Sequence, residues 1–154
     1  MRSGNRLAID VGTARIGVAR SDREGLLATP VETVPRALGD LERIAQLIDE
    51  FAAVEVIVGL PIALSGRETP STTDARSFAL EIARLRPIPV RLVDERLSTV
   101  SAQSAMRASG RTVKSSRSVI DQVAAVIILQ NALDFERSAA KPPGVLVDPD
   151  EGLH

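Results

Sequence analysis

The chain has 154 residues, of which 44% are apolar and 25% charged, and these values predict one globular domain with a single core. Its net charge of −1, three Phe and lack of Tyr and Trp argue against a broadly basic nucleic-acid footprint and against a base-stacking platform. Without cysteine, and with His154 as the one histidine at the chain end, the sequence argues against disulfides, cysteine or Ser-His-Asp catalysis and zinc sites. Metal ligands or proton carriers would then be carboxylates, which favour Mg²⁺ or Mn²⁺.

Three short strands are predicted at the start of the chain. Leu7–Val11 and Ile16–Arg20 flank "GTAR" at hairpin spacing, with Gly12 as the turn residue. A third strand is expected near Leu26–Val34, where Pro30 indicates an edge strand or a bulge.

Two amphipathic helices alternate with two buried strands in the middle of the chain. Asp40 is predicted to cap the first helix. The strand "AVEVIVGLP" ends at Gly59 and Pro61, the loop "IALSGRETP" leads to the second helix, and "PVRLVDE" is the next strand. The apolar positions that recur at helical spacing are Leu41, Ile44, Ala45, Ile48 and Phe51 in the first helix and Ala75, Phe78, Ala79, Ile82 and Leu85 in the second.

The last third of the chain predicts two more helices and a tail. "STVSAQSAMRASG" is a short helix, "RTVKSSR" is a basic loop and "SVIDQVAAVIILQNALDFE" is a buried helix. We expect a domain over residues 1–138 and a disordered tail over 139–154, which is rich in Pro, Gly and Asp. The element order predicts an α/β fold with a mixed sheet, antiparallel in its first three strands and parallel afterwards, with helices on both faces.

Three acidic positions lie where the pattern favours other residues. Asp10 interrupts an apolar strand, although a buried charge costs several kcal/mol unless it is paired, hydrogen-bonded or bound to metal. Asp94 and Glu95 end a buried strand, at the edge where sites form in open α/β sheets. Asp121 begins a buried helix whose first turn would lie across both. Converging carboxylates repel one another unless cations lie between them, which indicates a two-metal phosphodiesterase site.

Each acid also has a structural interpretation. Asp10 could belong to the turn at "VG", and the pair Asp94 and Glu95 could be a solvated strand end. Because neighbours in a strand point to opposite faces, at most one of that pair should enter a site, and the spacing does not decide which. Ser118 and Asp121 form a capping-box pattern. A nucleotide site of the sugar-kinase type also uses "DVGT", but it needs two such domains.

Four motifs in chain order, "IDVGTARIGVARSD", "VIVGLP", "VDERLST" and "VIDQVAAVIILQ", resemble the YqgF family, also called RuvX, of RNase H-like nucleases. The resemblance covers nearly the whole folded part of the chain. It implies an RNase H-like fold and cleavage of nucleic acid with Mg²⁺ or Mn²⁺. It also implies an acidic triad of Asp10, Glu95 and Asp121, and thus favours Glu95 over Asp94.

The resemblance further implies a role in maturing the 5′ end of pre-16S rRNA. The alternatives are a Holliday-junction resolvase acting on branched DNA and a nucleic-acid-binding module without catalysis. A resolvase needs two active sites related by two-fold symmetry, whereas the sequence shows no heptad repeat that demands a dimer. We therefore expect a monomer or weak homodimer that acts on precursor rRNA within a larger particle.

A basic segment precedes the last helix. Arg107, Arg111, Lys114 and Arg117 occur there without an intervening acid. This pattern predicts contacts to the nucleic-acid backbone or, in the alternative, a solvated loop.

No segment predicts insertion into a membrane. "MRSGNR" lacks the apolar stretch of a signal peptide, and the longest apolar run, "VAAVIIL", is too short to span a bilayer. A cytoplasmic protein without membrane contact is therefore expected.

Overall fold

The structure is a computed structural model that describes residues 2–97 and 117–150, apart from the side chains of residues 97 and 117–121. The predicted helix over 98–110 and the basic loop up to residue 116 lie outside the described residues. In the described part, no helix is long and apolar enough to cross a membrane. The elements are β1 (Arg6–Val11), β2 (Arg15–Ser21), β3 (Ala28–Pro35), α1 (Asp40–Glu50), β4 (Glu55–Leu60), α2 (Pro70–Leu85), β5 (Val90–Asp94), a 3₁₀ turn (Glu95–Leu97), α3 (Arg117–Ala139) and β6 (Val145–Leu146).

The strands form one mixed sheet in the order β3-β2-β1-β4-β5-β6. β1, β2 and β3 pair antiparallel, whereas β4 pairs parallel with β1 and β5 pairs parallel with β4. The Gly12 N–H donates to the Arg15 carbonyl at 2.8 Å and closes the predicted turn between β1 and β2. The predicted mixed sheet is confirmed, and β1 lies in its interior.

Helices cover both faces of this sheet, as the element order predicts. Side chains alternate between the faces along β1. Leu7 and Ile9 pack in the core that includes residues of α1 and α2, whereas Ala8 packs with Ala125 under α3. Asp10 is two residues beyond Ala8, so it belongs to the face that α3 covers.

The strand β3 lies at the edge of the sheet and contains an irregularity beside Pro30. The β2–β3 register shifts between Val18 and Ala19, and Ala19 pairs with Pro30. Both features that the proline predicts, an edge strand and a bulge, are therefore present.

A network of buried ion pairs lies where β1 and β4 begin, next to the C-terminal end of α3. Glu55 is 1% exposed, and its carboxylate lies 3.0 Å from Arg2 and 2.9 Å from Arg91. Glu136 of α3 accepts from Arg6 at 3.1 Å and also contacts Arg2. Burial alone would raise the pKa of Glu136, but the hydrogen bond from Arg2 and the charges of Arg2 and Arg6 lower it. These contacts orient α3, so its N-terminal end points toward the carboxyl ends of β1 and β4.

Helix α1 begins differently from the prediction, because Gly39 is its N-cap and Asp40 is its first residue. Gly39 has a φ of 95°, in the left-handed region that glycine adopts without strain. The Asp40 carboxylate accepts from the Leu41 N–H at 2.7 Å and lies 3.4 Å from Arg36 Nε. Asp40 thus places negative charge in the first turn, where the helix dipole favours it, instead of capping the helix.

The segment after α3 differs from the predicted disordered tail. Val145–Leu146 form β6, which pairs antiparallel with β5. Val147 is buried, and its N–H donates to the Val90 carbonyl at 2.8 Å. Gly144 has a φ of 67°, and a Cβ there would overlap the Leu92 carbonyl oxygen. The sheet therefore continues past the predicted boundary at residue 138, and residues 151–154 lie outside the described part.

Candidate active site

Asp10 lies near the carboxyl end of β1, one residue before the strand ends. Its partner in β2 is Gly17, so Asp10 is part of the strand ladder and precedes the turn. In the parallel ladder with β4, Ile9 pairs with Val58, which brings Gly59 level with Asp10 on the other side. A glycine therefore stands beside Asp10 on each neighbouring strand. Strand glycines are typical of places where another group approaches the sheet closely.

Glu95 is the group that approaches Asp10. It follows the end of β5 and begins the 3₁₀ turn, so the strand ends one residue earlier than the sequence predicts. The pKa of Glu95 is raised to about 9, first by burial and then by the hydrogen bond to Asp10 and the charges of Asp10 and Asp94. The two carboxyl groups therefore share a proton at neutral pH when no cation is added.

Asp94, the other candidate at this strand end, interacts with a different group. Its carboxylate lies 2.6 Å from Arg96 Nη2 and accepts from the Arg96 backbone N–H at 2.9 Å. The hydrogen bond from the Arg96 side chain lowers the pKa of Asp94, although burial opposes the change. The structure thus brings Glu95, and not Asp94, into hydrogen-bonding contact with Asp10.

Gly59 is a site residue that the sequence reasoning treated only as a strand end. A Cβ at position 59 would lie 2.5 Å from Glu95 Oε1 and 2.6 Å from Ile128 Cδ1 of α3. Side chains rarely approach that closely, so residue 59 must be small for Glu95 to lie where it does. A glycine inside an otherwise buried strand was the available signal.

Asp121 lies in the first turns of α3, but its side chain is outside the described set. Ile128 is beside Gly59, and position 121 is seven residues earlier, about 10 Å along the helix toward the carboxyl ends of the strands. It is also one turn before the buried Ala125. Ser118, the predicted N-cap, lies within α3, which already includes Arg117.

The predicted nucleic-acid contacts lie largely beyond the described part of the chain. Arg107, Arg111 and Lys114 fall in the segment that the structure leaves out. Arg117 is the first residue of α3, and its side chain is not described.

The donor set at Asp10 and Glu95 fits a divalent cation. Carboxylate oxygens are the ligands that Mg²⁺ and Mn²⁺ prefer. The raised pKa of Glu95 indicates that a second negative charge is unfavourable there unless positive charge is added. Among side chains that the structure describes, no group of three or more potential ligands occurs, and Asp121 is outside that set.

Comparison with known proteins assigns the family. The family model described as "RuvX: Holliday junction resolvase" matches residues 4–135. The chain belongs to the RuvX family. Its predicted membership is therefore confirmed over nearly the whole of the sheet and α3.

Full-length relatives of this RuvX chain share more than half of its residues. A protein of Clavibacter michiganensis subsp. michiganensis is 61% identical over 158 residues, covering 97% of this chain and 98% of the relative. A protein of Streptomyces avermitilis is 55% identical over 147 residues, with 94% of each chain covered. Both relatives are named as pre-16S rRNA nucleases.

A solved structure supports the predicted fold. T. thermophilus RuvC, in complex with a Holliday junction substrate, superposes with a TM-score of 0.63 over 91% of this chain and 99% of that chain. The two sequences are 16% identical, so the likeness shows the fold alone. The RNase H-like fold predicted for this RuvX chain is confirmed.

Proposed function

We propose that this chain is a metal-dependent nuclease that hydrolyses phosphodiester bonds in the 5′ extension of pre-16S rRNA. Asp10, Glu95 and Asp121 would hold Mg²⁺ or Mn²⁺. The observation that carries this proposal is the contact between the carboxyl groups of Asp10 and Glu95 at the carboxyl ends of β1 and β5, where burial and mutual repulsion raise the pKa of Glu95. A fold alone does not define an activity, but this carboxylate pair supplies the chemistry.

The residues of the site have separate tasks in this mechanism. The β1 ladder holds the backbone of Asp10, and the end of β5 places Glu95 where it hydrogen-bonds to Asp10. A bound divalent cation would supply the charge that lowers the pKa of an attacking water and stabilises the negative charge developing at phosphorus. To hold the cation, Asp10 and Glu95 would both have to be ionised, so the proton between them would be released to solvent.

The choice of rRNA rests on the relatives. Proteins 52–62% identical to this chain over nearly its full length are named as pre-16S rRNA nucleases. The family description favours a second candidate, a Holliday-junction resolvase. Such an enzyme cuts opposing strands with two symmetry-related sites, and we propose instead a monomer or weak homodimer.

The basic segment would guide the substrate. Arg107, Arg111, Lys114 and Arg117 precede or begin α3, whose N-terminal end points toward Asp10 and Glu95. With a net charge of −1 over the whole chain, binding would depend on this local patch and on presentation of the rRNA by a precursor ribosomal particle in the cytoplasm.

Replacing Arg111, Lys114 and Arg117 together by Gln should weaken binding across RNA sequences. It should also flatten the logarithmic salt dependence by up to about 0.7–0.9 per lost phosphate contact. Fluorescence anisotropy at several salt concentrations measures both quantities. An unchanged slope and affinity would make the segment a solvated loop.

The deciding experiment uses pure protein with Mg²⁺ or Mn²⁺ and three substrates: a 5′-extended precursor rRNA, a four-way DNA junction and a plain single strand. Solution mass is measured in parallel, and Asp10→Asn is the control for contaminating nucleases. We expect the precursor to be cut by wild type and not by the variant. Paired symmetric nicks in the junction by a dimer, with the rRNA intact, would favour the resolvase, and binding without cleavage of any substrate would indicate a non-catalytic module.

A further inference from the structure

Gly59 of β4 lies between the backbone positions of the two acids of the candidate site. Asp10 is in β1 and Glu95 follows β5, and these strands are not neighbours, because β4 lies between them. Adjacent strands are about 4.8 Å apart, so the backbones of β1 and β5 are about 10 Å apart. The Glu95 side chain must therefore pass over β4 to reach Asp10, and it passes at Gly59.

Space, and not backbone conformation, is what requires glycine here. A Cβ at position 59 would lie 2.5 Å from Glu95 Oε1, 2.9 Å from Glu95 Cγ and 2.6 Å from Ile128 Cδ1. Gly59 is not among the glycines with positive φ, so an alanine would suit its backbone. Glycine inside a strand is destabilising relative to alanine. The structure thus keeps an unfavourable residue at a position where a side chain would block Glu95.

We propose that Gly59 is a positioning residue: its missing side chain leaves the space through which Glu95 reaches Asp10, and it thereby sets the spacing of the two carboxylates that would bind the metal. This inference rests on the proposed function for its consequence, which is metal affinity. Its geometric part concerns only the position of Glu95 and can be tested without metal.

The test separates the contact with Glu95 from the contact with α3. Ile128→Val removes Cδ1 and relieves the clash on the helix side, so the parent protein is Ile128→Val and the test variant is Gly59→Ala/Ile128→Val. In both backgrounds Glu95→Gln is added, and thermal unfolding is followed in EDTA. In the parent, Glu95→Gln should raise Tm because a carboxyl group forced against Asp10 is removed. In the test variant Glu95 is displaced, so Glu95→Gln should leave Tm unchanged.

Metal affinity gives the second measurement. Mn²⁺ binding, followed by electron paramagnetic resonance, should be about 10- to 100-fold weaker in Gly59→Ala/Ile128→Val than in Ile128→Val. Equal Mn²⁺ affinity, together with the same gain in Tm from Glu95→Gln in both backgrounds, would overturn the inference. An Ile128→Ala background gives the new methyl group at position 59 more room and serves if the first pair does not fold. If the parent binds no Mn²⁺ and cleaves no RNA, the proposed function fails, whereas the metal-free Tm comparison still decides the role of Gly59.

Discussion

The α3 face of the sheet holds two pairs of acids, and they differ in what surrounds them. At the amino ends of β1 and β4, Glu55 and Glu136 are paired with Arg2, Arg6 and Arg91. The arginines overcome the effect of burial and lower the pKa of Glu136. Each acid in this network thus has at least two arginine partners that balance its charge.

At the carboxyl ends of the strands the balance is reversed. Asp10 and Glu95 face each other, and the pKa of Glu95 is raised to about 9. Helix α3 thus covers two kinds of acid. Arginines balance the charges of Glu55 and Glu136, whereas burial and the Asp10 carboxylate disfavour a negative charge on Glu95. This difference supports the proposal that Glu55 and Glu136 stabilise the fold, whereas Asp10 and Glu95 bind a positively charged ligand.

The largest effect on activity is expected from breaking the pair of Asp10 and Glu95 at the carboxyl ends of the strands, the carboxyl-end pair. Asp10→Asn removes a proposed ligand while keeping the shape of the side chain. Cleavage should fall by about a thousandfold or more, because the cation supplies several kcal/mol of transition-state stabilisation. Single-turnover cleavage of precursor rRNA with Mn²⁺ measures this loss. Activity equal to wild type would remove Asp10 from the site.

Breaking the ion pairs of Glu55 and Glu136 at the amino ends of the strands, the amino-end pair, should instead reduce stability. Glu136→Gln leaves the buried Arg6 without its carboxylate, and the free energy of unfolding should fall by about 3 kcal/mol. Asp134→Asn on the exposed side of α3 is the matched control, since its ion pair with Arg137 is worth less than about 1 kcal/mol. Urea unfolding measures both. The folded variant should cleave RNA at the wild-type rate, and a specific loss of catalysis would undermine the division between the two ends.

The pH dependence of stability should have opposite signs at the two ends. The raised pKa of Glu95 means that its contribution is fully present below about pH 4.5 and is lost as the pH rises toward about 9. The lowered pKa of Glu136 means that its contribution is present above about pH 4.5 and is lost as the pH falls through the lowered value. In EDTA, Glu95→Gln should raise the free energy of unfolding near pH 8 and flatten the decline above about pH 4.5. Glu136→Gln should flatten the acid decline. Urea unfolding across this pH range measures both effects. The comparison would be contradicted if both variants flattened the same decline, whether on the acid or the alkaline side.

The smallest effect is expected at Asp94, directly beside the site. Asp94→Asn breaks a half-exposed ion pair with Arg96, worth less than about 1 kcal/mol, and leaves the contact between Asp10 and Glu95 in place. Mn²⁺ affinity should change little, whereas Glu95→Gln should greatly reduce it. If Asp94→Asn lost more Mn²⁺ affinity than Glu95→Gln, Asp94 and not Glu95 would be the metal ligand.

The sequence was sufficient for the first five strands of the sheet because local patterns determine them. Alternation and the Gly12 turn predict the β1–β2 hairpin, and the apolar run from Val123 to Leu129 predicts α3. The tail was mispredicted because its local composition, rich in Pro and Gly, hides a pairing: Val145–Leu146 depend on the distant β5 for their strand conformation. Such a non-local contact leaves no periodic signal in two residues.

The candidate site could be predicted only in part for a related reason. An acid in an apolar strand draws attention to Asp10, but the choice between Asp94 and Glu95 depends on where β5 ends. The strand stops at Asp94, and the 3₁₀ turn then directs Glu95 over β4. Alternation could not decide this, and the family resemblance did. The role of Gly59 follows only from the three-dimensional structure, in which Glu95 crosses β4 to reach Asp10.

We propose that Asp10 and Glu95, at the carboxyl ends of the strands, bind a divalent cation and that Glu55 and Glu136, at the amino ends, do not. Mn²⁺ titration followed by electron paramagnetic resonance, with wild type, Asp10→Asn and Glu136→Gln at equal concentrations of folded protein, tests it most directly. We expect binding in wild type and Glu136→Gln and at least about a tenfold loss of affinity in Asp10→Asn. Unchanged binding in Asp10→Asn, or loss of binding in folded Glu136→Gln alone, would contradict it.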